Sequence, residues 1–341
     1  MTRLRRSDPG AAGLTRARHG RGFRYLDARG EPVDAAALTR IKELVIPPAW
    51  REVWICPHPN GHIQAVGVDE AGRRQYLYHP AWTARRDAEK FDRVLRLAAR
   101  LPKARTRIAE FIEQPGLGRE RVLAAALRLL ELGAFRVGGH SYAKENGSYG
   151  LATLRREHVA LRKGRIHVCY LAKSGQQREV SVVDDQAFSV VRGLLRREED
   201  NPELFAYRNG DGWRNVRAEE VNEFLRELVG DGFSAKDLRT WNATVLAATA
   251  LAAEERPASK TSRKRAVAGM VREVAEEIGN TPAVCRRSYI DPHVIDAYDH
   301  GLTIRPTVLR IRSTDLTMPE TRDTIERSVL RLLRRARRDL G

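Results

Sequence analysis

Residues 279–292 read Gly-Asn-Thr-Pro-Ala-Val-Cys-Arg-Arg-Ser-Tyr-Ile-Asp-Pro, and this stretch is the most informative in the chain. It places Tyr289 shortly after an arginine pair and just past a capped turn. A phenol there can attack phosphorus and form a phosphotyrosine that keeps the energy of the broken bond. The transition state of such a transfer loads negative charge onto the non-bridging oxygens. The hypothesis therefore requires further cations elsewhere in the chain.

The composition indicates a polyanionic partner. The chain has 341 residues, enough for two domains with hydrophobic cores, and its 61 Lys and Arg outnumber 44 Asp and Glu for a formal charge of +17. Such a balance favours nucleic acid over a membrane, because basic side chains neutralise phosphates and release counterions. A basic enzyme from an arginine-rich proteome remains the alternative at this point.

The cysteines and the amino-terminal residues indicate the expected cellular compartment. Cys56, Cys169 and Cys285 are too few and too scattered for a disulfide framework or a zinc site. Cys56 with His58 and His62 lacks a fourth ligand, so we expect no metal there. The charged start resembles no signal peptide, and no apolar run is long enough to span a membrane. We expect a soluble, cytoplasmic protein that associates with the nucleoid.

Hydrophobic patterning predicts an α+β protein of two domains. Residues 1–89 form a small β-rich domain that begins with a loose basic arm of about twenty residues. Residues 90–341 form a mostly helical domain that ends in an arginine-rich amphipathic tail, whose simplest role is nonspecific affinity for DNA. Apolar alternation and turn residues predict strands at 53–56, 63–69, 75–78, 165–173 and 177–183. Helical spacing covers 91–132, 185–198, 218–229, 238–255, 266–278 and 324–340, with a polar break at 257–265.

Four further residues supply what an attacking tyrosine needs. Arg136 follows an apolar helix and precedes two glycines, Lys173 lies at the tip of a strand-turn-strand, and Arg239 lies near the start of a helix. Asn280 adds an amide donor nine positions before Tyr289. Each has a structural interpretation when taken alone, as a solvated helix end, a surface turn residue or a cap. Their joint occurrence favours phosphoryl transfer without a metal.

At this point the chain closely resembles the type IB DNA topoisomerases, in particular the compact poxvirus-like and bacterial members. The resemblance covers roughly residues 40–300. It rests on the segments 72–80, 135–138, 142–151, 171–175, 236–243 and 280–289.

The resemblance implies a fold, a reaction and roles. It implies a two-domain clamp around double-stranded DNA, with the catalytic fold shared by tyrosine recombinases and type IB topoisomerases. Tyr289 matches the nucleophile that forms a 3′-phosphotyrosyl bond, Arg136 and Arg239 match the arginines on the non-bridging oxygens, and Lys173 matches the general acid for the 5′-oxygen. The resemblance further implies that supercoils of both signs are relaxed without ATP, metal or small-molecule cofactor, by a protein that we expect to be monomeric.

One catalytic position departs from the poxvirus-type and nuclear pattern. Asn280 stands where those enzymes carry a histidine. An amide can donate a hydrogen bond to a non-bridging oxygen, but it carries no charge and relays no proton. This favours stabilisation of the oxyanion over acid–base work.

DNA contacts are expected on both sides of the domain boundary. Strand alternation places Tyr76 and Tyr78 on one face and Gln75 on the other, so these side chains reach DNA unequally. The full set of expected contacts is Arg73, Arg74, Gln75, Tyr76, Tyr78, Tyr142 and Lys144.

Two other functions fit part of the pattern. A tyrosine site-specific recombinase shares the nucleophile, the arginines and the hairpin lysine, but usually has a His-x-x-Arg motif where this chain has Lys236-x-x-Arg239. An architectural DNA-binding protein explains the charge and the tail, but needs neither Tyr289 nor Lys173.

Overall fold

The computed structural model describes residues 3–133, 135–210, 212–311 and 313–340, apart from a few side chains, among them that of Tyr142. The chain packs into two compact units, Met1–Lys90 and Phe91–Gly341. The first is rich in β-structure and the second mostly helical. This mixture of helices and small antiparallel sheets confirms the expected fold class.

The first unit is built on a five-stranded antiparallel sheet with the strand order β2-β1-β3-β4-β5. Asp34 caps its helix by accepting from the Ala37 N–H at 2.7 Å, and the helix buries Ile41 against the sheet residues Ile55 and Ala65. The elements are β1 Leu14–His19, β2 Gly22–Leu26, α1 Ala35–Glu43, β3 Arg51–Ile55, β4 Ile63–Val68 and β5 Arg74–Tyr78.

The expectation of a loose basic arm is wrong. β1 pairs with both β2 and β3, and the Ser7 N–H donates to His62 Nδ1 at 2.9 Å. Arg16 donates to the carbonyl oxygens of Pro47 at 3.1 Å and Trp50 at 2.5 Å. Arginine-rich composition suggests disorder, but Arg16 binds carbonyl groups of the same unit, and the backbone of the segment completes a sheet.

The second unit contains the remaining elements, and its boundary with the first falls inside helix α2. No helix in the described ranges combines the length and apolar character that a membrane span requires. The helices are α2 Pro80–Ala98, α3 Leu101–Glu113, α4 Arg119–Leu132, α5 His140–Asn146, α6 Asp185–Arg196, α7 Ala218–Val229, α8 Ala235–Ala253, α9 Lys260–Glu277, α10 Pro282–Ser288, α11 Pro292–Asp299, α12 Arg305–Val308 and α13 Pro319–Leu340. The strands are β6 Val159–Arg162, β7 Arg165–Ala172 and β8 Gln176–Val182 in one antiparallel sheet, and β9 Ala206–Asn209 with β10 Gly212–Asn215 in a second.

Helix α8 lies in the centre of this unit. It is buried around most of its circumference, which is typical of a core helix. Its start is fixed because the Asp237 carboxylate accepts from both the N–H and the hydroxyl of Ser234, at 3.0 and 2.9 Å. Arg239 is thereby presented from a rigid element.

Helices α9 and α13 begin earlier than the sequence indicates. The expected polar break at 257–265 is partly helical, because Ser259 caps α9 by accepting from the Ser262 N–H at 3.0 Å. The basic residues that follow form its first turns. Helix α13 likewise begins at Pro319 rather than residue 324.

A buried ionic network joins α3, α4 and α13. Arg105 contacts Glu131, and it also contacts Glu326 at 2.8 Å, while Arg322 lies 3.7 and 3.6 Å from the same two carboxylates. Burial opposes ionisation of Glu131, but the positive charges of Arg105 and Arg322 outweigh it and lower the pKa of this carboxyl. The network fixes the arginine-rich terminal helix to the core.

Glu131→Gln should therefore destabilise the protein by about 3 kcal/mol, because it removes one of the two carboxylates that neutralise the buried Arg105 and Arg322 at almost unchanged side-chain volume. Urea unfolding measures the loss. Glu110→Gln is the matched control, since Glu110 is exposed on α3 and pairs only with Arg107 at 3.7 Å among the described ion pairs. Equal stabilities for the two variants would contradict the structural role of the network.

Candidate active site

The end of helix α9 brings three arginines together. Gly279, in the left-handed conformation at φ +58°, closes the helix, and the N–H groups of Gly279 and Asn280 satisfy the carbonyls of residues 276 and 275 at 2.9 and 2.8 Å. The next three carbonyls, of residues 277–279, accept from side chains instead. Arg178 donates to the first at 2.8 Å, Arg239 to the second, and Arg136 to the third at 3.2 Å. Carbonyls at a helix end carry partial negative charge, so they offset the mutual repulsion of these guanidinium groups.

Arg136 is fixed by a backbone crossing. It follows α4, and its carbonyl accepts from the Leu151 N–H at 2.8 Å. Gly138 has φ +80°, and a Cβ on Gly150 would lie 2.5 Å from backbone atoms of Gly138. The glycines therefore allow two backbone segments to touch, which fixes the backbone at Arg136.

Arg239 and Tyr289 form a cation–π pair. The guanidinium carbon of Arg239 lies 5.5 Å from the centre of the Tyr289 ring. Burial lowers the pKa of Arg239 to about 10, which still leaves the side chain cationic at neutral pH. Half-buried Tyr289 ends helix α10, where its N–H donates to the Cys285 carbonyl at 2.9 Å and its carbonyl accepts from the Thr244 hydroxyl at 3.2 Å. Both backbone polar groups of Tyr289 are therefore hydrogen-bonded, which fixes its backbone.

Lys173 lies where the sequence predicts, at the turn between β7 and β8, and is exposed. It lines a cleft of about 300 Å³ together with Arg136, Arg239 and Tyr289. Four of the five expected catalytic side chains thus share one concave surface. Such convergence of cations around a tyrosine suits the binding of a phosphodiester.

Asn280, the fifth, lies behind this surface and is not among the described residues that line the cleft. Its Oδ1 accepts from Arg136 Nη2 at 2.8 Å. Its Nδ2 is buried, and no described group accepts a hydrogen bond from it. An unsatisfied buried donor costs about 1–3 kcal/mol and is a feature typical of functional sites.

The expected DNA-contacting residues of the first unit differ in exposure. Tyr76 and Tyr78 are exposed on one face of β5 and stack with ring centres 6.0 Å apart, as alternation predicts. Gln75 is half-buried and donates to the Asp69 carboxylate at 2.8 Å, and Arg73 pairs with the same carboxylate at 2.9 Å. The two tyrosines are therefore the better placed to meet a ligand.

The remaining expected contacts are Arg74, Lys144 and Tyr142. Arg74 is exposed on β5, and Lys144 is exposed on α5. The side chain of Tyr142 lies outside the described part of the chain.

Arg178 is the residue of this site that the sequence analysis missed. It is buried and donates to the carbonyl of Gly133 at 3.0 Å as well as to the end of α9, so it connects α4, β8 and α9. Its inward position has a signal in the sequence, because Arg178 shares the period-two face of β8 with Val180 and Val182.

Comparison with known proteins agrees with this geometry. A family model described as the catalytic core of eukaryotic DNA topoisomerase I matches residues 79–303, and one described as the N-terminal domain of bacterial DNA topoisomerase IB matches residues 22–69. The chain is 31% identical to DNA topoisomerase 1B of Acanthamoeba polyphaga mimivirus over 287 residues, which is 82% of this chain and 84% of the relative. It is 24% identical to DNA topoisomerase 1B of Vaccinia virus over 233 residues, covering 68% of this chain and 71% of the relative.

A mixed fold with a cleft that joins a tyrosine to converging cations defines a candidate for phosphodiester transfer, and the matched families narrow this to the type I DNA topoisomerases. The chain belongs to the type IB DNA topoisomerase family. The resemblance recognised from the sequence is confirmed, and with it the enzyme class.

Gly279→Ala should destabilise the protein more than Gly301→Ala. Both glycines have positive φ, so either alanine incurs about 1–2 kcal/mol of left-handed strain. At Gly279 the new Cβ would also lie 2.5 Å from Arg178 Nη1 and displace it, whereas at Gly301 nothing lies within 4 Å. We expect an additional loss of about 1 kcal/mol at Gly279, measured by urea unfolding. Equal losses would show that Arg178 is not held at this helix end.

Proposed function

We propose that this protein relaxes positive and negative DNA supercoils by transient cleavage of one strand of a duplex. The observation that carries the proposal is the single cleft lined by Tyr289, Arg136, Arg239 and Lys173. Together these side chains supply a nucleophile, two cations for the non-bridging oxygens and a proton donor, and the family supplies the substrate class.

In the cleavage step, the Tyr289 phenol loses its proton to solvent water as its oxygen attacks the scissile phosphorus. The new bond is a 3′-phosphotyrosyl ester, and the broken bond joins phosphorus to the 5′-oxygen. Arg136 and Arg239 donate to the non-bridging oxygens, where negative charge accumulates in the transition state. Because the carbonyls of α9 already orient these arginines, little reorganisation is needed when the charge develops.

The leaving 5′-oxygen requires a proton, since an alkoxide is a poor leaving group. We assign this proton to Lys173, the exposed cation at the β7–β8 turn. Rotation of the free 5′ end then releases supercoils, and attack by the 5′-hydroxyl on the phosphotyrosine restores the strand. Bond energy is conserved, so ATP is not required, and the charge on phosphorus is met by side chains rather than by a metal ion.

The neutral Asn280 has two tasks in this proposal. Its Oδ1 orients Arg136, and its Nδ2 donates to a non-bridging oxygen once substrate is bound. Loss of one such donor typically costs about 10²–10³ in rate. Duplex DNA is further bound through Arg73, Arg74, Gln75, Tyr76, Tyr78, Tyr142 and Lys144, and the enzyme acts as a monomer.

Plasmid relaxation in EDTA without ATP tests the proposal, with Tyr289→Phe beside the wild type. The wild type should relax supercoils of both signs, and the variant should bind DNA without changing its linking number, because the nucleophilic oxygen is gone. Tyr298→Phe is the matched control, since it removes one hydroxyl from a buried tyrosine of α11 outside the cleft. Relaxation by Tyr289→Phe, or relaxation by the wild type only with added metal, would overturn the mechanism.

Lys173→Ala should slow cleavage by about 10²–10⁴-fold, the usual contribution of a positioned proton donor. Single-turnover cleavage of a DNA oligonucleotide measures the rate. Lys163→Ala is the matched control. Lys163 lies beyond the opposite end of β7, so its substitution removes the same charge next to the same sheet but far from the turn.

A substrate with sulfur in place of the leaving 5′-oxygen separates proton donation from charge attraction. A thiolate leaves without a proton, so on this substrate Lys173→Ala should cleave at a rate close to that of the wild type. If sulfur gave no recovery, Lys173 would contribute through its charge and not as an acid.

A further inference from the structure

The arginine-rich terminal helix α13 contacts the segment that follows Tyr289. Arg337 Nη2 donates to Asp291 Oδ2 at 2.9 Å, and its other terminal nitrogen contacts Asp92 of α2. Asp291 is only 2% exposed, so this ion pair is shielded from solvent on the carboxylate side. Arg337 is therefore a second arginine of this helix, after Arg322, that binds carboxylates of the protein itself.

Asp291 is connected to Tyr289 through one hydroxyl of helix α8. The Asp291 N–H donates to Thr244 Oγ1 at 3.2 Å, and this hydroxyl lies within hydrogen-bond distance of two carbonyls, that of Thr240 at 2.9 Å and that of Tyr289 at 3.2 Å. The Asp291 carboxylate also caps α11 by accepting from the His293 N–H at 3.0 Å. Residues 289–291 are therefore held between α8, which carries Arg239, and α13, which carries Arg337.

The charge of Asp291 is maintained by its partners. Burial disfavours the carboxylate, but the hydrogen bond from His293 and the positive charge of Arg337 hold its pKa below the ordinary value. Removal of Arg337 would leave a buried carboxylate with less compensation, which strongly favours a local rearrangement.

We propose that Arg337 is a positioning residue for cleavage, and that its ion pair with Asp291 sets the placement of Tyr289 against Arg239. The inference rests on the proposed role of Tyr289 as nucleophile. It makes the terminal helix part of the support of the active site. The other end of this helix is fixed to α3 and α4 through Arg322 and Glu326, so it is a rigid support.

The test compares Arg337→Gln and Asp291→Asn with Arg338→Gln. Arg338 is the neighbouring exposed arginine, and its substitution removes the same charge from the tail without touching Asp291. Asp291→Asn keeps a residue that can cap helix α11. It therefore keeps the test available in case Arg337→Gln fails to fold. We expect both test variants to cleave DNA about tenfold more slowly in single turnover, since a misplacement of 1 Å can cost about 10²-fold. Their DNA affinity should stay within about twofold of the wild type, because neither residue lines the proposed DNA-binding cleft.

Three further readouts distinguish positioning from a general loss of structure. Arg337→Lys should recover part of the cleavage rate. The double variant of Arg337→Gln and Asp291→Asn should be no slower than the slower of the two single variants. Hydrogen exchange of the peptide 285–295 should accelerate in Arg337→Gln and not in Arg338→Gln. This last measurement requires no DNA cleavage.

The contrary outcomes are separable. Cleavage by Arg337→Gln at the wild-type rate overturns the inference while leaving the proposed function intact. An equal loss in Arg338→Gln also overturns it, because the cause would then be the charge of the tail. A wild type that never cleaves DNA refutes the proposed function, and the positioning role with it.

Discussion

The site depends on the carbonyl groups that end helix α9. Two unit charges 4 Å apart repel by about 4 kcal/mol at an effective dielectric of 20, so guanidinium groups do not cluster without compensation. Here successive carbonyls at residues 277–279 provide it, one for each of Arg178, Arg239 and Arg136. Carbonyl dipoles orient the arginines without cancelling their net charge, so the cluster keeps the positive charge that the proposed reaction requires.

The ionic network of the same unit neutralises the charge of its arginines instead of preserving it. Arg105 and Arg322 are buried against Glu131 and Glu326, so their charge is neutralised by carboxylates. Such a network stabilises the association of helices but has no charge left for a ligand. Within these two clusters the acceptor differs: Arg105 and Arg322 face carboxylates, whereas Arg136 and Arg239, which we assign to DNA, donate to carbonyls.

Sequence reasoning found the parts of the fold whose pattern is local. Helix α7 has the predicted bounds 218–229, and the strand-turn-strand around Lys173 is present because alternation and Gly175 are strong signals. The start of α9 was misplaced because a run of basic residues resembles a loop in composition. β1 was missed for the same reason. The contacts of Arg178 with α4 and α9 depend on tertiary structure, so no local pattern reveals them, and the roles of the catalytic residues came from the family resemblance.

The neutral residue at position 280 follows from this electrostatic arrangement. A protonated histidine has only donors, whereas asparagine offers an acceptor and a donor on one rigid plane. Asn280 uses the acceptor on Arg136 and keeps a buried donor beside it. A cation at this position would add to the repulsion among three arginines and would lose the contact that orients Arg136. The amide therefore suits a site in which arginines already supply the positive charge and position 280 has only to orient Arg136.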